Sequence, residues 1–488
     1  MLYPSLQEVK EYLKKYSIVP VFYKLLSDSC TPIHIFKALK ESSENCFILE
    51  SVENGNQWGR YSFIGINPSA EIIVEKGEAS FIENGSTAKV KIDNPIDYIR
   101  VILEKYNSPV FSDYPVLTGG LVGYFAYDTI RFIEKRLKNI PPDDLNMPDI
   151  NLFIYREIIA YDHLTNKTVI IQNIDGENPE EQYRACEKRA EDLLQMLKSY
   201  VPVPDEIKHT NEIKVSSNIT KERYLSNVEK AKEYIKNGDI YQIVPSQRFE
   251  IDNPPDSFNV YRLLRSTNPS PYLYYFKHKD YSIAGASPEM LVNVKSREIT
   301  TKPIAGTIHR GVTNQEDLEL EKRLLNDPKE RAEHTMLVDL GRNDVGRVSE
   351  FGSVSVEDFM HVERYSKVMH IVSIVKGILK EEKTSIDALM AVLPAGTLSG
   401  APKIRAMEII DSLETTKRGL YGGTVGYIAF NGNMDTCIAI RTVLFRNDKA
   451  YIQAGGGIVA DSVPENEYTE SLNKAQAMIN AVQEAGKI

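Results

Sequence analysis

The stretch 329–344, KERAEHTMLVDLGRND, combines an acidic pair with the apolar pattern of a helix. Glu330 and Glu333 stand three positions apart at its start, and residues with this spacing project from the same side of a helix. The apolar residues that follow at helical spacing are Met336, Leu337 and Leu340. The stretch therefore predicts a helix that presents two carboxylates toward one point.

A second acidic pair, Glu467 and Glu470, opens another helical pattern near the C-terminus. Either pair alone is compatible with a solvated helix face. Carboxylate oxygens without neighbouring cysteines are ligands for a hard cation such as Mg²⁺ rather than for zinc. Two such pairs in one segment favour a Mg²⁺ site built from two helices.

Two glycine-rich stretches are candidate anion sites. In PAGTLSGAPK (394–403), Pro402 is predicted in the first turn of a helix whose free N–H groups attract negative charge. In QAGGGIV, the successive N–H groups of Gly455, Gly456 and Gly457 can form a nest for a carboxylate. The alternative for both stretches is a tight turn that needs positive φ.

Arg441 and His370 are single polar residues within apolar runs. Arg441 ends the strand-like run CIAIR, where it needs an anion, either a structural Asp or a substrate carboxylate. His370 lies in YSKVMHIVSIV, where a satisfied core histidine and a catalytic base both fit the pattern. The local pattern leaves both pairs of alternatives open.

The bulk properties restrict the class of protein. The chain has 488 residues, 42% apolar and 26% charged, which is typical of a globular protein with a large core. Its four cysteines are scattered, as expected for reduced thiols in the cytoplasm. The formal charge of −10 argues against nucleic-acid and anionic-membrane partners. No apolar run is long enough to cross a bilayer, and a cytoplasmic location is predicted.

The distribution of strand and helix patterns predicts the architecture. Short β-rich runs separated by turn residues dominate 1–200, whereas 221–488 mixes strands with long helices. The strands do not alternate regularly with helices, which argues against a doubly wound sheet. We predict an α+β fold of large antiparallel β-sheets packed face to face with flanking helices. The segment 201–220, with two prolines, is the predicted linker between an N-terminal segment and a C-terminal domain.

Taken together, the motifs resemble the chorismate-utilising enzymes and, among them, the large subunits of anthranilate synthases. The resemblance covers nearly the whole chain. Besides KERAEHTMLVDLGRND and the Glu467/Glu470 pair, its motifs are GDIYQIVPSQRF (238–249), NPSPY (268–272), GASPEML (285–291), KPIAGT (302–307), PAGTLSGAPK (394–403), YGG (421–423) and QAGGGIVADS (453–462).

The resemblance implies a role for each matching residue. The residues implied around Mg²⁺ are Glu333 and Glu470, with Glu330 and Glu467 beside them. The residues implied to hold chorismate are Gly306, Thr307, Tyr421, Arg441, Gly455, Gly456 and Gly457. The residues implied in catalysis are His370 in the pyruvate-eliminating step, Glu289 as the acid for the departing C4 hydroxyl, and Thr397 at the ring.

Two positions distinguish the nucleophile within the resembling family. Relatives that form isochorismate or salicylate carry a lysine where Gln242 stands, and that lysine activates water. Aminodeoxychorismate synthases typically carry a nucleophilic lysine at the place of Ala305. Neither Gln242 nor Ala305 can perform these tasks. The expected reaction is therefore addition of ammonia at C2, followed by elimination of pyruvate to give anthranilate.

The N-terminal segment resembles the tryptophan feedback site of the family. The matching positions are Ser51 in FILES, followed by Pro271, Tyr272 and Leu273. A buried strand end and a proline-stiffened loop are the structural alternatives. Because no cysteine lies in a Gly-rich nucleophile elbow, a separate glutamine amidotransferase subunit is the expected ammonia source. The rival interpretations are an aminodeoxychorismate synthase and a non-catalytic tryptophan-sensing subunit.

Overall fold

The computed structural model describes residues 2–27, 30–53, 57–201, 213–365 and 368–487. The helices are α1 (Leu6–Tyr12), α2 (Pro32–Leu39), α3 (Pro95–Glu104), α4 (Pro179–Ser199), α5 (Lys221–Lys236), α6 (Ser257–Thr267), α7 (Asn314–Asn326), α8 (Pro328–Gly346), α9 (Ser385–Val392), α10 (Lys403–Leu413) and α11 (Pro464–Ala485). Short 3-10 helices are Lys40–Ser42, Tyr127–Phe132 and Gly396–Leu398.

The strands of the first half are β1 (Leu2–Tyr3), β2 (Ile18–Leu26), β3 (Cys46–Glu50), β4 (Val52–Glu53), β5 (Gln57–Trp58), β6 (Tyr61–Ile66), β7 (Ala70–Glu75), β8 (Glu78–Glu83), β9 (Ser86–Lys91), β10 (Gly120–Phe125), β11 (Ile150–Tyr155), β12 (Glu157–Asp162) and β13 (Lys167–Asp175). Those of the second half are β14 (Val215–Ser217), β15 (Gln242–Ile243), β16 (Ser246–Asp252), β17 (Tyr272–His278), β18 (Tyr281–Ser287), β19 (Met290–Lys295), β20 (Glu298–Thr301), β21 (Ile304–His309), β22 (Ser355–Arg364), β23 (Val368–Ile378), β24 (Gly400–Ala401), β25 (Thr424–Ala429), β26 (Met434–Ile438), β27 (Thr442–Arg446) and β28 (Lys449–Gly455).

Two 12-stranded antiparallel sheets form the body of the protein. The first sheet has the strand order β1-β2-β13-β12-β6-β3-β17-β18-β27-β28-β16-β14. The second has the order β21-β23-β20-β19-β26-β25-β10-β11-β7-β8-β9, and β22 also pairs with β23. Both sheets contain strands from before and after the predicted linker. Their hydrogen bonds therefore join the two segments, as where β3 pairs with β17 and β10 with β25.

An aromatic-rich core lies between the two sheets. Strand residues alternate between faces, so one face of each sheet supplies this core. Phe47 of the first sheet and Tyr155 of the second meet edge-to-face at 4.8 Å. Other core residues on this interface are Val122, Phe153, Tyr274, Phe276 and Val425. The two sheets therefore pack face to face, as predicted.

Helices cover the outer face of each sheet. Ile99 of α3, Val338 of α8 and Leu389 of α9 belong to the core on the second sheet. Residues of α2, α4, α6 and α11 form the corresponding core on the first sheet. The result is a helix–sheet–sheet–helix arrangement, and the α+β prediction is confirmed. Of the predicted linker 201–220, residues 202–212 lie outside the described residues, and the domain division stays a prediction.

Three local expectations were wrong. Pro402 is the N-cap residue of α10 rather than part of its first turn, and Lys403 donates to Asp344 Oδ2 at 2.8 Å instead of serving an open anion site. Arg441 lies beyond β26, in the turn to β27, with φ 51°. Such a conformation breaks the strand that its apolar neighbours predicted. None of Gly455, Gly456 and Gly457 has a positive φ, so no tight turn requires glycine there. Close contacts with other segments of the chain require it instead.

Candidate active site

A cavity of ≈ 660 Å³ lies between α8, α11, β21, β23 and the end of β28. Of the residues that the sequence singled out, those lining it are Glu289, Gly306, Thr307, Glu330, Glu333, His370, Thr397, Tyr421, Arg441, Gly455, Gly457, Glu467 and Glu470. Gly456 lies beside it, since a Cβ there would stand 3.2 Å from Glu467 Oε2. The fold therefore brings together all the residues that the sequence assigned to metal, substrate and catalysis.

The N-terminus of α8 places its two glutamates on the cavity wall. Asp327 caps the helix, because its Oδ1 accepts the N–H of Lys329 at 2.9 Å and that of Glu330 at 3.2 Å. Pro328 occupies the first helical position, where no N–H is needed. Helical spacing then turns Glu330 and Glu333 to the same side, into the cavity.

The four glutamates form a region of concentrated negative charge. Burial raises the pKa of Glu330, and the charges of Glu333 and Glu470 raise it further. Burial likewise raises the pKa of Glu467, with a further contribution from Glu470. Mutual repulsion of this kind is relieved by a bound cation. The donor set consists of oxygens alone, which suits a hard divalent ion.

Within the described ranges, no three acidic, histidine or cysteine side chains converge as a complete metal cage. A Mg²⁺ ion does not require one, since it keeps several waters and uses one or two carboxylates together with substrate oxygens. Two glycines leave space around the glutamates. A Cβ on Gly306 would lie 2.9 Å from Glu330 Oε2, and one on Gly456 would lie 3.5 Å from Glu470 Oε1. The residues present fit a partly hydrated Mg²⁺.

Two residues that the sequence did not assign to the metal region contact the glutamates directly. Gln242 donates from Nε2 to Glu333 Oε1 at 3.1 Å, and Lys474 pairs with Glu470 at 2.7 Å. Lys474 also donates to the Gly455 carbonyl at 3.1 Å. The spacing of Glu470 and Lys474, four positions apart on one helix, is the signal that could have identified this pair.

Glu289 has the environment of a general acid. Thr397 donates from Oγ1 to Glu289 Oε1 at 2.9 Å. Burial raises the pKa of Glu289 to about 7, although the bond from Thr397 and the charge of Lys474 act in the opposite direction. A carboxyl group with this pKa holds a proton in much of its population near neutral pH, and it can donate that proton to a leaving oxygen.

His370 has the environment of a general base. It lies on β23, and its Nδ1 stands 2.9 Å from the Gly306 carbonyl and 3.1 Å from Thr307 Oγ1. Burial lowers its pKa; the bond to Gly306 opposes this shift, and the charge of Arg441 adds to it. The ring is therefore neutral near pH 7. With Nδ1–H donated to the carbonyl, Nε2 keeps a free lone pair that can accept a proton.

Arg441 is a partly buried cation in the cavity lining. Burial lowers the pKa of its guanidinium, and among the described residues no carboxylate forms an ion pair with it. A partly buried guanidinium without a paired carboxylate is suited to bind an anion that enters the cavity. Tyr421 lies on the same cavity wall, and burial raises the pKa of its hydroxyl. Tyr421 therefore remains a hydrogen-bond donor.

Arg418 supports the cavity wall from behind. It is 3% exposed and pairs with Glu414 at 2.6 Å. Its guanidinium also donates to the carbonyls of Leu398 and Val244, two cavity-lining residues, each at 2.6 Å. This arginine therefore fixes two backbone segments of the site without contacting the cavity.

A second cavity of ≈ 700 Å³ contains all the positions predicted to bind an inhibitor: Ser51, Pro271, Tyr272 and Leu273. Tyr272 donates from its hydroxyl to Asp435 Oδ1 at 2.9 Å, and burial raises the pKa of both groups. This cavity lies where β3 and β17 of one sheet face β25 and β26 of the other. It is distinct from the catalytic cavity, although Pro288 lines both.

Comparisons with known proteins agree with this geometry. The chain matches the family model described as chorismate binding enzyme over residues 44–480. It is 51% identical to anthranilate synthase component 1 of Acetivibrio thermocellus over 100% of both chains. The identity to anthranilate synthase component 1 of Aquifex aeolicus is 45%, over 98% of this chain and 97% of the relative.

A solved structure shares the fold. The crystal structure of anthranilate synthase component I from Streptococcus pneumoniae superposes with a TM-score of 0.77 at 41% sequence identity, covering 93% of this chain and 98% of that chain. The names of these relatives denote one component of an enzyme with more than one component. In the part of the chain that the structure describes, no helix is long and apolar enough to span a membrane.

Proposed function

This chain belongs to the anthranilate synthase component 1 family of chorismate-binding enzymes, and we propose that it converts chorismate and ammonia into anthranilate and pyruvate with Mg²⁺. The observation that carries the proposal is the content of one cavity. It combines a partly buried arginine that has no acidic partner among the described residues, a carboxyl group with a pKa of about 7, a neutral histidine and four carboxylates. A dianionic substrate that loses a hydroxyl group and a proton fits this combination.

The two carboxylates of chorismate are assigned to different groups of the cavity lining. We place the enolpyruvyl carboxylate on Arg441, Tyr421 and the backbone of 455–457, since these groups are donors in a buried site. Glu330, Glu333, Glu467 and Glu470 would hold Mg²⁺ for the ring carboxylate. When bound, the ion supplies positive charge that withdraws electrons from the ring.

In the first step the nitrogen of ammonia bonds to C2, the two ring double bonds shift, the C4–O bond to the hydroxyl group breaks, and the new ammonium group loses one proton to solvent. Glu289 donates its proton to that hydroxyl, so that water rather than hydroxide leaves. Thr397 holds the carboxyl group in place through its 2.9 Å hydrogen bond. Gly306 and Thr307 border the space assigned to the ring, and a side chain at Gly306 would obstruct it.

In the second step the aminated ring becomes aromatic. His370 removes the proton from C2 through Nε2 while the C3–O bond to the enolpyruvyl group breaks. The Gly306 carbonyl fixes the tautomer by accepting the Nδ1 proton, and it stabilises the positive charge that the imidazole acquires. The released enolpyruvate becomes pyruvate.

Gln242 and Ala305 favour ammonia as the nucleophile. The Gln242 amide donates to Glu333 and cannot take a proton from water, whereas a lysine at this place could. Ala305 lines the cavity with a methyl group that cannot attack the ring. Both observations support amination over hydration and over a covalent lysine intermediate.

A product assay distinguishes this reaction from its rivals. Purified chain incubated with chorismate, ammonium and Mg²⁺ is expected to form fluorescent anthranilate and release pyruvate. A 4-amino product that retains the enolpyruvyl group would support an aminodeoxychorismate synthase instead. Absence of turnover, both with tryptophan added and without it, would support a regulatory subunit.

We propose a glutamine amidotransferase subunit as the partner that supplies ammonia. Burial raises the pKa of Cys46 and Cys186 to about 12 and raises that of Cys437 as well, so these thiols are poor nucleophiles. The isolated chain is therefore expected to use ammonium but not glutamine. Anthranilate formed from glutamine by this chain alone would contradict the proposal.

We also propose that the second cavity binds tryptophan as a feedback inhibitor. The proposal is supported by the position of Ser51, Pro271, Tyr272 and Leu273 around one space of suitable size, lined by apolar and charged side chains and by the hydrogen-bonded Tyr272–Asp435 pair. The cytoplasmic location remains a prediction, which is supported by the absence of disulfides among the four cysteines.

A further inference from the structure

The second cavity and the catalytic cavity are neighbours, and an aromatic contact joins a residue that lines one to a residue that lines the other. Tyr365 lines the second cavity and His370 lines the catalytic cavity. Their rings meet edge-on, with centroids 5.5 Å apart and planes at 64°. The ring of the proposed base therefore packs against a residue that an occupant of the second cavity can contact.

Tyr365 is held from both its side chain and its backbone. Its hydroxyl donates to Glu363 Oε2 at 2.8 Å, and Lys302 pairs with Glu363 Oε1 at 2.6 Å. Its carbonyl accepts a hydrogen bond from Arg310 at 2.7 Å. Lys302 and Glu363 also line the second cavity. The side chains of Lys302, Glu363 and Tyr365, here named the relay, thus form one connected chain from that cavity to His370.

The strand register ties the relay to the catalytic residue. Glu363 of β22 stands directly opposite His370 of β23, and Thr307 of β21 stands opposite it on the other side. Opposite residues in antiparallel strands project toward the same face. A displacement of Glu363 or Tyr365 therefore changes the space available to the His370 ring.

The charges within the relay favour a fixed arrangement. The Glu363 carboxylate is partly buried, which raises its pKa, but the bonds from Lys302, Tyr365 and His361 together keep that pKa below its usual value. Burial raises the pKa of the Tyr365 hydroxyl, and the Glu363 charge raises it further. Glu363 is thus an ionised acceptor and Tyr365 a protonated donor, so the hydrogen bond between them persists near neutral pH.

We infer that Tyr365 is a positioning residue for His370, and that the relay transmits the presence of a ligand in the second cavity to the catalytic base. This inference rests on the proposed function, including tryptophan as that ligand. A ligand that moves Lys302 or Glu363 would release Tyr365, and the His370 ring would lose one of its packing partners. Misplacement of a catalytic group by about 1 Å can cost about 100-fold in rate.

The test combines turnover, tryptophan binding and inhibition in a set of variants. Tyr365→Leu removes the ring contact and is expected to lower kcat about 10- to 100-fold while KM for chorismate changes by less than about 2-fold. Tyr365→Phe and Lys302→Met keep an aromatic ring against His370, but each removes one bond to Glu363. Each variant should therefore retain more activity at saturating tryptophan than the unchanged enzyme does. The Kd for tryptophan will be measured by calorimetry without chorismate. It should change by no more than the factor by which tryptophan and chorismate alter each other's affinity in the unchanged enzyme. Lys302→Arg keeps the ion pair with Glu363, so tryptophan should inhibit this variant as strongly as the unchanged enzyme.

A matched control separates this role from a general loss of packing. Tyr106 also packs its ring on an aromatic partner, Phe430 at 4.4 Å, but outside the residues lining either cavity. Tyr106→Leu, the counterpart of Tyr365→Leu, and Tyr106→Phe should both retain wild-type kcat and inhibition. Wild-type inhibition in both Tyr365→Phe and Lys302→Met would overturn the inference.

Two results from the unchanged enzyme separate the inference from the proposed function. Formation of anthranilate without any inhibition by tryptophan would overturn the relay and leave the proposed reaction standing. Failure to form anthranilate would overturn the proposed reaction and the inference with it.

Discussion

Thr397 donates a 2.9 Å hydrogen bond to Glu289, the buried carboxyl group whose pKa is raised to about 7. The bond stabilises the ionised form and so opposes the effect of burial. The two residues are far apart in the sequence but share one wall of the catalytic cavity. Their contact adjusts the acid to the pH at which the enzyme would operate.

The pH dependence of kcat/KM for chorismate should follow these two groups. Glu289 acts when protonated, so activity should fall as pH rises through about 7. His370 acts when neutral, and its lowered pKa places the acidic limb below the usual histidine range. Thr397→Val should move the basic limb to higher pH, because the bond that favours ionised Glu289 is lost. Thr469→Val, on the exposed side of α11, should leave the profile unchanged.

Loss of a carboxylate from the metal region should weaken the response to Mg²⁺. Glu333→Gln and Glu470→Gln are each expected to raise the Mg²⁺ concentration required for half-maximal turnover by about 10-fold or more. Glu484→Gln, on the same helix as Glu470 but outside the residues that line the cavity, is the control. Unchanged Mg²⁺ titrations for both cavity variants would contradict the assignment of these glutamates.

Arg441→Lys should reveal whether a carboxylate completes the arginine site. Lysine keeps the charge but loses the two parallel N–H donors that bind a carboxylate. KM for chorismate is expected to rise about 10-fold or more, from a loss of 1.5 to 3 kcal/mol typical of a charged hydrogen bond. Steady-state kinetics at saturating Mg²⁺ would measure this. An unchanged KM and kcat would show that no substrate carboxylate binds there.

Tryptophan should bind the second cavity with measurable heat. Ser51→Phe places a bulky ring in that space and should lower the affinity at least about 10-fold, as expected for overpacking of about 1.5 kcal/mol. Isothermal titration of both proteins gives the comparison. Absence of binding to the unchanged chain would exclude the inhibitor assignment.

Arg418 should be a major contributor to stability. Arg418→Met leaves the buried Glu414 and two carbonyls without their donor, which is expected to lower the free energy of unfolding by about 3 to 5 kcal/mol. Chemical denaturation would measure the change. Arg342→Met, whose side chain is 55% exposed, provides the comparison and should cost less than about 1 kcal/mol.

Local spacing was sufficient to predict the helical acidic pairs but not their environment. The intervals between Glu330 and Glu333 and between Glu467 and Glu470 fixed their common direction, and both pairs line the cavity. Nothing local indicated that Gln242 would donate to Glu333, since the two are 91 positions apart. The fold class followed from the strand and helix patterns. The sheet order did not, because pairings such as β3 with β17 join distant segments.

The glycines show a second limit of sequence reasoning. Gly455–Gly457 suggested either a carboxylate nest, which stays a proposal, or a turn with positive φ, which these three glycines do not form. Instead, a Cβ on Gly455 would lie 2.2 Å from the Pro245 carbonyl, and one on Gly457 would lie 2.6 Å from Gln242 Nε2. Close approach of other chain segments, which depends on tertiary packing, is therefore the reason for glycine here. The sequence did not identify Tyr365 for the same reason, because its proposed role depends on a contact with the His370 ring that tertiary packing creates.

The fate of nitrogen-15 from labelled ammonium tests the proposed amination of chorismate at C2 without reliance on any variant. The purified chain, chorismate, Mg²⁺ and the labelled ammonium would be incubated together, and products identified by mass spectrometry and nitrogen-15 NMR. We predict labelled anthranilate, with the amino group ortho to the carboxylate, and one pyruvate released per anthranilate. A labelled 4-amino product that still carries the enolpyruvyl group, or an unlabelled hydroxylated product, would contradict the proposed reaction.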